Sequence, residues 1–249
     1  MTRRNYRNPP IQEALCEFRF AASQEWDLTL PGRLYDEVKT EYPGKPRNVF
    51  QAQVQLGGAG GPPNVAWNQN VSAVQLVDAG GRRLVTVGTD MLSVHVLNPY
   101  PPTGWEEFKP RIERAFKSYT TVAAPTGVHR IGLRYINRVE VPEKAARIEK
   151  YFRCLPPAVP GLPEDLQAFL HRAEYAYEDG VKLSTTFATA ESASGKASYV
   201  LDLDVVWEGV EPKSLADAIG LVEDLRGRER DAFEAVITDD LRSVFDAQA

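Results

Sequence analysis

Three arginines are evenly spaced in the segment RIGLRYINR, which covers residues 130–138. Arg130, Arg134 and Arg138 stand four residues apart, so in a β-strand all three side chains lie on the same face of the sheet. At roughly 3.3 Å per residue, neighbouring arginines are about 13 Å apart, which is too far for two of them to share one small anion. A polyanion lying along the strand could contact all three. The spacing therefore predicts an extended basic row.

Carboxylates in two other predicted strands offer these arginines partners within the protein. Glu13 and Glu17 alternate with apolar residues in EALCEFRF, and Asp202 and Asp204 do so in SYVLDLDVVW. If these strands neighbour the arginine strand, opposite charges would form a cross-strand ladder, in which each pair contributes about 0.2–1 kcal/mol. The alternative is a surface that binds a partner. Its residues would be Arg130, Arg134, Arg138, Asn137, Glu13 and Glu17.

Complete catalytic and metal-binding motifs are absent from the sequence. Asp202 and Asp204 would face the same way, but two carboxylates supply too few oxygens for a hard cation unless water completes the shell. The stretch GGAGGPPN lacks both phosphate-loop patterns and predicts a flexible loop. None of the usual zinc-site spacings occurs among the histidines, which are His95, His129 and His171. We therefore expect no catalytic residue, no metal and no cofactor.

The overall composition is that of a folded protein that does not bind nucleic acid broadly. The chain has 249 residues, 43% of them hydrophobic, and a formal net charge of −5. Sequence-independent binding to DNA or RNA depends on clustered basic residues, which this acidic balance disfavours.

Cys16 and Cys154 form no disulfide framework. No apolar run approaches the roughly 18 residues that span a bilayer, so a cytoplasmic location without membrane association is expected.

The elements that would position these side chains follow the same order twice. In the first half, a strand at 13–20 precedes a short helix, several antiparallel strands separated by turns, and a helix at 104–119. In the second half, the arginine strand precedes a short helix, a helix at 166–177 and two strands. Ser214 and Asp217 then cap a long C-terminal helix, with an interruption expected at Gly227.

This order predicts an α+β protein with one large antiparallel sheet and helices on one face. It also indicates two pseudo-repeated β-α-β(n)-α halves of a ferredoxin-like kind, at 1–124 and 125–249. The only break between them is the short segment APTG, so we expect residues 1–249 to form a single cooperative domain.

Four strings in the chain resemble an uncharacterised, sporadically distributed bacterial family of about 250 residues. They are NPPIQEALCEFRF, LSVHVLNPYPPTGWEEFKPRIERAF, HRIGLRYINRVEVP and AFEAVITDDLRSVF, and together they cover most of the chain in order. The last helix of that family often carries a histidine about where residues 228–230 stand here. The resemblance implies a common fold and a single full-length unit, but no activity. A patchy distribution suggests an accessory gene, such as one linked to defence.

Three functions follow from these patterns. The first is a non-catalytic binding or assembly module that engages a macromolecular partner, such as a protein encoded nearby, through its charged sheet face. The second is a nucleic-acid-binding or RNA-processing protein, which the acidic composition disfavours. The third is a small-ligand enzyme with a pocket between sheet and helices, lined by Tyr135, Asn137 and Trp207. The sequence leaves the oligomeric state and any partner's identity open.

Overall fold

The computed structural model describes residues 4–21, 27–55, 64–143, 147–157, 160–161, 163, 166–192 and 194–246. The strands are β1 (Ile11–Phe20), β2 (Arg47–Gln55), β3 (Asn64–Val77), β4 (Arg83–Gly88), β5 (Met91–Leu97), β6 (Val128–Glu140), β7 (Leu170–Ala176), β8 (Val181–Ala190) and β9 (Ser198–Lys213). The helices are α1 (Leu30–Val38), α2 (Trp105–Ala123), α3 (Ile148–Tyr151), α4 (Leu215–Val236) and α5 (Asp239–Asp246).

The nine strands of the described residues form one antiparallel sheet in the order β2-β3-β4-β5-β1-β6-β9-β8-β7. In each half, the first strand pairs with the last strand of the antiparallel run, β1 with β5 and β6 with β9. The two halves join where β1 pairs with β6 in the middle of the sheet. The predicted α+β fold with a large antiparallel sheet is therefore confirmed, and the order of elements repeats.

The helices cover the apolar face of this sheet. Phe18 and Phe116 are 0% and 6% exposed, and their ring centroids lie 4.7 Å apart, as expected for the strand and helix facings that the sequence predicts. In the second half, helix α4 packs on β6 and β9. An aromatic cluster fills the space near α3, and its members are Phe152, Phe169, Phe187 and Tyr199.

The helix predicted at 166–177 is wrong. Residues 170–176 form β7, which pairs along its whole length with β8. Leu170 and Tyr175 are 75% and 54% exposed, so apolar residues at helical spacing do not form a buried stripe there. The backbone hydrogen bonds available along the edge of β8 override the weak helical pattern.

The C-terminal helix begins as predicted but breaks at a different place. Ser214 accepts a hydrogen bond from the backbone N–H of Asp217 at 3.2 Å, which is the expected cap. Helix α4 continues through Gly227 without interruption. The break falls at Ile237, which is extended and forms an isolated bridge with Phe152. Pairing with the segment after α3 ends the helix, so the interruption expected at Gly227 is wrong.

Two further features bear on the sequence predictions. The predicted loop GGAGGPPN lies outside the described residues, apart from Asn64 at the start of β3. Helix α2 extends from Trp105 and includes Pro110 in its second turn. Among the described residues, no helix combines the length and the apolar character needed to cross a membrane.

Candidate functional site

The three arginines of β6 lie on the sheet face opposite the helices, and each contacts an acceptor within the protein. Arg130 donates to Glu17 at 2.5 Å, and Arg134 binds Asp202 through two hydrogen bonds of 2.8 and 2.6 Å. Arg138 donates to the backbone carbonyl of Glu191. The charge ladder that the sequence allowed is therefore present for Arg130 and Arg134.

The strand register decides which carboxylate each arginine meets. Glu17 lies directly opposite Gly132, and the guanidinium group of Arg130 lies over that glycine to reach it. Arg19 also binds Glu17, at 2.9 Å, so one carboxylate holds two arginines. Burial raises the pKa of the neighbouring Asp204, while Arg130 and Arg134 act in the opposite direction.

The other two predicted site residues take different roles. The carboxylate of Glu13 lies 2.7 Å from Nδ1 of His95, and Nε2 of the same ring lies 2.7 Å from Ser93 Oγ. Glu13 therefore belongs to a separate hydrogen-bonded group on the same face of the sheet. Asn137 lies on the helix face, is 2% exposed and donates to the carbonyl of Leu201 at 3.1 Å. Asn137 is therefore separated by the sheet from the other five predicted residues.

A cavity of about 280 Å³ lies on the helix side of the sheet, where Asn137 is one of its lining residues. The cavity is bounded by the segment before β1, the segment that leads into α2, the middle of β6 and helix α4. Its described lining residues are Arg4, Asn5, Tyr6, Pro9, Pro10, Ile11, Tyr100, Pro101, Pro102, Thr103, Gly104, Trp105, Glu106, Tyr135, Asn137, Glu223, Arg226, Glu229, Arg230, Phe233 and Glu234. We call it the Arg226 pocket.

A buried ion pair forms the inner wall of the Arg226 pocket. Arg226 Nη1 donates to Glu229, which is 3% exposed. The guanidinium carbon lies 4.4 Å from the ring centroid of Tyr135 and 5.5 Å from that of Trp105. Arg226 Nε is buried and has no hydrogen-bond partner among the described residues. A buried donor without an acceptor costs about 1–3 kcal/mol, so the ion pair is held in place at a cost to stability.

Two tyrosines and a carboxyl group in the pocket have altered acidity. The hydroxyl groups of Tyr100 and Tyr135 are 3.2 Å apart. Burial raises the pKa of both phenols, and Tyr135 is the more strongly affected. Burial also raises the pKa of Glu229, against the opposing effect of Arg226 and Arg230. The pocket is thus a poorly solvated environment in which these polar groups depend on one another for hydrogen bonds.

The outer wall of the pocket ties several distant segments together. Trp105 donates its indole N–H to Glu223 at 3.2 Å, and Tyr6 donates to Glu234 at 2.7 Å. Arg230 donates to the backbone carbonyl of Arg4 at 2.9 Å. These bonds hold the N-terminal segment and the start of α2 against α4.

The sequence predicted part of this pocket. Tyr135 and Asn137 line it, whereas Trp207 lies outside the described lining, with Lys213 Nζ 4.5 Å from its ring centroid. Arg226 and Glu229 were missed, although Glu229 occupies the buried stripe of α4 that also holds Val222, Leu225 and Ala232. A charged residue in such a stripe, with an opposite charge three residues before it, is the signal that could have identified them.

Three of the strings singled out in the sequence meet at the pocket. NPPI, NPYPPTGW and RYIN each contribute lining residues. The described residues contain no group of three or more His, Cys, Asp or Glu that could hold a metal ion. No protein-family model matches the chain, and no curated protein has a significantly similar sequence.

Proposed function

We propose that this protein binds a small molecule in the Arg226 pocket. The observation that carries the proposal is the cavity of about 280 Å³, whose wall contains the Arg226–Glu229 ion pair and several aromatic rings. Binding pockets are commonly apolar and aromatic, with a few polar groups that fix the orientation of the ligand. Trp105, Tyr100 and Tyr135 supply the aromatic walls, and Arg226 supplies the polar group.

A purely structural role for this ion pair is the weaker explanation. Removing two charges from water is expensive, and well-packed apolar residues of similar volume often stabilise a protein as much or more. The position of the pair in the lining of a cavity therefore favours a role in binding.

The proposal is tested by a thermal-shift screen with a panel of metabolites. The double variant Arg226→Met/Glu229→Gln removes both charges without stranding either of them. Arg134→Met/Asp202→Asn removes a comparable ion pair from the opposite face and is the matched control. At least one metabolite should raise the melting temperature of the wild type and of the control, but not of the pocket variant. A panel without a hit, or equal shifts in both variants, would contradict the proposal.

A macromolecular partner on the charged sheet face is the second candidate. It is favoured by the exposure of that face, since the helices pack on the other side and the side chain of Arg134 is 41% exposed. A protein suits this face better than a nucleic acid, because carboxylates already neutralise Arg130 and Arg134. Under this proposal, Arg134→Ala would abolish co-purification of a partner while the variant stays folded.

A further inference from the structure

Strand β7 forms one edge of the nine-stranded sheet and has an open outer side. The backbone N–H of Tyr177 donates to the carbonyl of Val181 at 2.8 Å, so the odd-numbered residues of β7 are those that exchange hydrogen bonds with β8. Such residues alternate with outward-facing ones in an antiparallel ladder, and the backbone groups of the even-numbered residues in 170–176 therefore point away from β8. Among the described residues, no backbone hydrogen bond reaches this outer side.

This edge lacks several of the features that usually keep edge strands from pairing. β7 pairs with β8 over its whole length without a bulge, and its sequence, LHRAEYA, contains neither proline nor lysine. Of the seven large apolar side chains that are exposed among the described residues, four lie in or beside β7. They are Leu166, Leu170, Tyr175 and Tyr177. The edge is therefore suited to pairing with another strand.

The charges of β7 are complementary to those of a second copy of the same strand. Arg172 and Glu174 lie on the open face of the sheet, where their side chains are 61% and 62% exposed. If two antiparallel copies align with Ala173 opposite Ala173, Arg172 of each copy lies opposite Glu174 of the other. These opposed residues both face outward, so their backbone groups can exchange hydrogen bonds across the edge.

Other registers of the same pairing are unfavourable. A shift of two residues in one direction places Arg172 opposite Arg172, and a shift in the other direction places Glu174 opposite Glu174. Like charges that face each other directly across two strands are destabilising. A shift of one residue would oppose outward-facing backbone groups to inward-facing ones, which cannot form the ladder. The sequence of β7 thus favours the register centred on Ala173.

We propose that two copies of this chain form a symmetric dimer through β7, which joins their sheets into one. The interface is isologous, so each contact between Arg172 and Glu174 occurs twice. Directly opposed residues of an antiparallel pair project to the same side, so the helices of both copies lie on one side of the joined sheet. On that side, Tyr175 of one copy lies opposite His171 of the other, which covers part of a ring that is 54% exposed in the single chain.

The test is the mass of the full chain in solution, measured by sedimentation equilibrium over a range of concentrations. The wild type should reach twice the chain mass of 27.7 kDa. Arg172→Glu and Glu174→Arg each create two like-charge contacts, so each should raise the dimer dissociation constant about tenfold or more. Because both side chains are exposed, the two variants should keep a near-wild-type melting temperature.

Complementary variants test the register itself. An equimolar mixture of Arg172→Glu and Glu174→Arg should form a mixed dimer, because each opposed pair then joins unlike charges. The double variant Arg172→Glu/Glu174→Arg should dimerise as the wild type does. Arg147→Glu is the matched control, since Arg147 is also an exposed arginine paired with a glutamate two residues later, but it lies outside β7. It should leave the dimer unchanged.

A cross-link tests the same register without changing a charge. Directly opposed residues that do not exchange hydrogen bonds have Cα atoms about 4.5 Å apart, within the range that a disulfide spans. Ala173→Cys should therefore give a disulfide-linked dimer under mild oxidation. His171→Cys should not, because the two copies of residue 171 would lie about 13 Å apart. The wild type controls for Cys16 and Cys154.

The contrary outcomes are equally specific. A chain that stays monomeric at every concentration and forms no disulfide through Ala173→Cys overturns the proposal, whether or not another protein pairs with the edge. A dimer that both single charge reversals leave intact also overturns it, because its interface then lies elsewhere. A dimer that the single reversals weaken but the double variant does not restore refutes the register centred on Ala173.

Discussion

Breaking the Arg134–Asp202 pair should measurably destabilise the folded protein. Arg134 makes two hydrogen bonds to Asp202, whose side chain is only 14% exposed, whereas that of Arg134 is 41% exposed. Because Arg134 is partly exposed, the pair behaves as a surface ion pair, and its two hydrogen bonds place its coupling energy near the upper end for such pairs. We therefore expect a coupling energy of about 1 kcal/mol. Arg134→Ala alone should cost about 1–2 kcal/mol, because it leaves a poorly solvated carboxylate without its partner.

The assay is a double-mutant cycle measured by urea unfolding. It uses Arg134→Ala, Asp202→Asn and their combination, and the double variant should be less destabilised than the sum of the single variants. In a chain of this length, 1 kcal/mol corresponds to a melting-temperature change of about 2–4 °C. Arg138→Ala is the control, because Arg138 is exposed and, among the described residues, donates to a backbone carbonyl rather than to a carboxylate. A coupling energy near zero would refute the structural ladder and favour a binding role for this strand.

Three further predictions concern the core, the halves and pH. Phe18→Ala should lower the free energy of unfolding by about 3–5 kcal/mol, because the ring is fully buried against Phe116; near-wild-type stability by urea titration would contradict this packing. Residues 1–124 and 125–249, expressed separately, should be insoluble or unfolded because each exposes the β1 or β6 edge; two cooperatively melting fragments would disprove a single domain. Burial raises the pKa of Asp204, so the folded state binds its proton more tightly than the unfolded state, and stability falls as pH rises from about 3.8 through the raised pKa. The Asp204→Asn variant has no carboxyl group to titrate, so its free energy of unfolding relative to the wild type should increase between pH 4 and pH 7 in urea titrations. A difference in free energy that does not change with pH would contradict the raised pKa of Asp204.

The central strands were predictable because each has one buried face. In β1, β6 and β9, apolar and polar residues alternate, and that alternation directly reports the burial pattern. The edge strand β7 lacks this signal, because most of its residues are exposed on both faces. Its strand conformation is set by pairing with β8, which the local sequence does not encode.

The pairing of charges and the Arg226 pocket were harder to derive. The sequence placed Glu17 on the correct face, but the register and the side-chain reach of Arg130 make Glu17 the partner of Arg130 and leave Arg134 to Asp202. The pocket combines Tyr100, Tyr135 and Arg226, which are far apart in the chain. Such a site depends on how α4 packs across β6, and no local sequence pattern predicts that packing.

The most direct test of ligand binding in the Arg226 pocket is a ¹H–¹⁵N NMR titration that follows the tryptophan indole N–H signals. The ligand is the panel compound with the largest thermal shift, and the Trp105 signal is assigned with Trp105→Phe. Trp105 lines the pocket and its indole N–H donates to Glu223, whereas Trp207 is outside the described lining. We expect a saturable shift of the Trp105 signal, while the Trp207 signal stays unchanged. An unmoved Trp105 signal at saturation, or a shift of Trp207 alone, would contradict it.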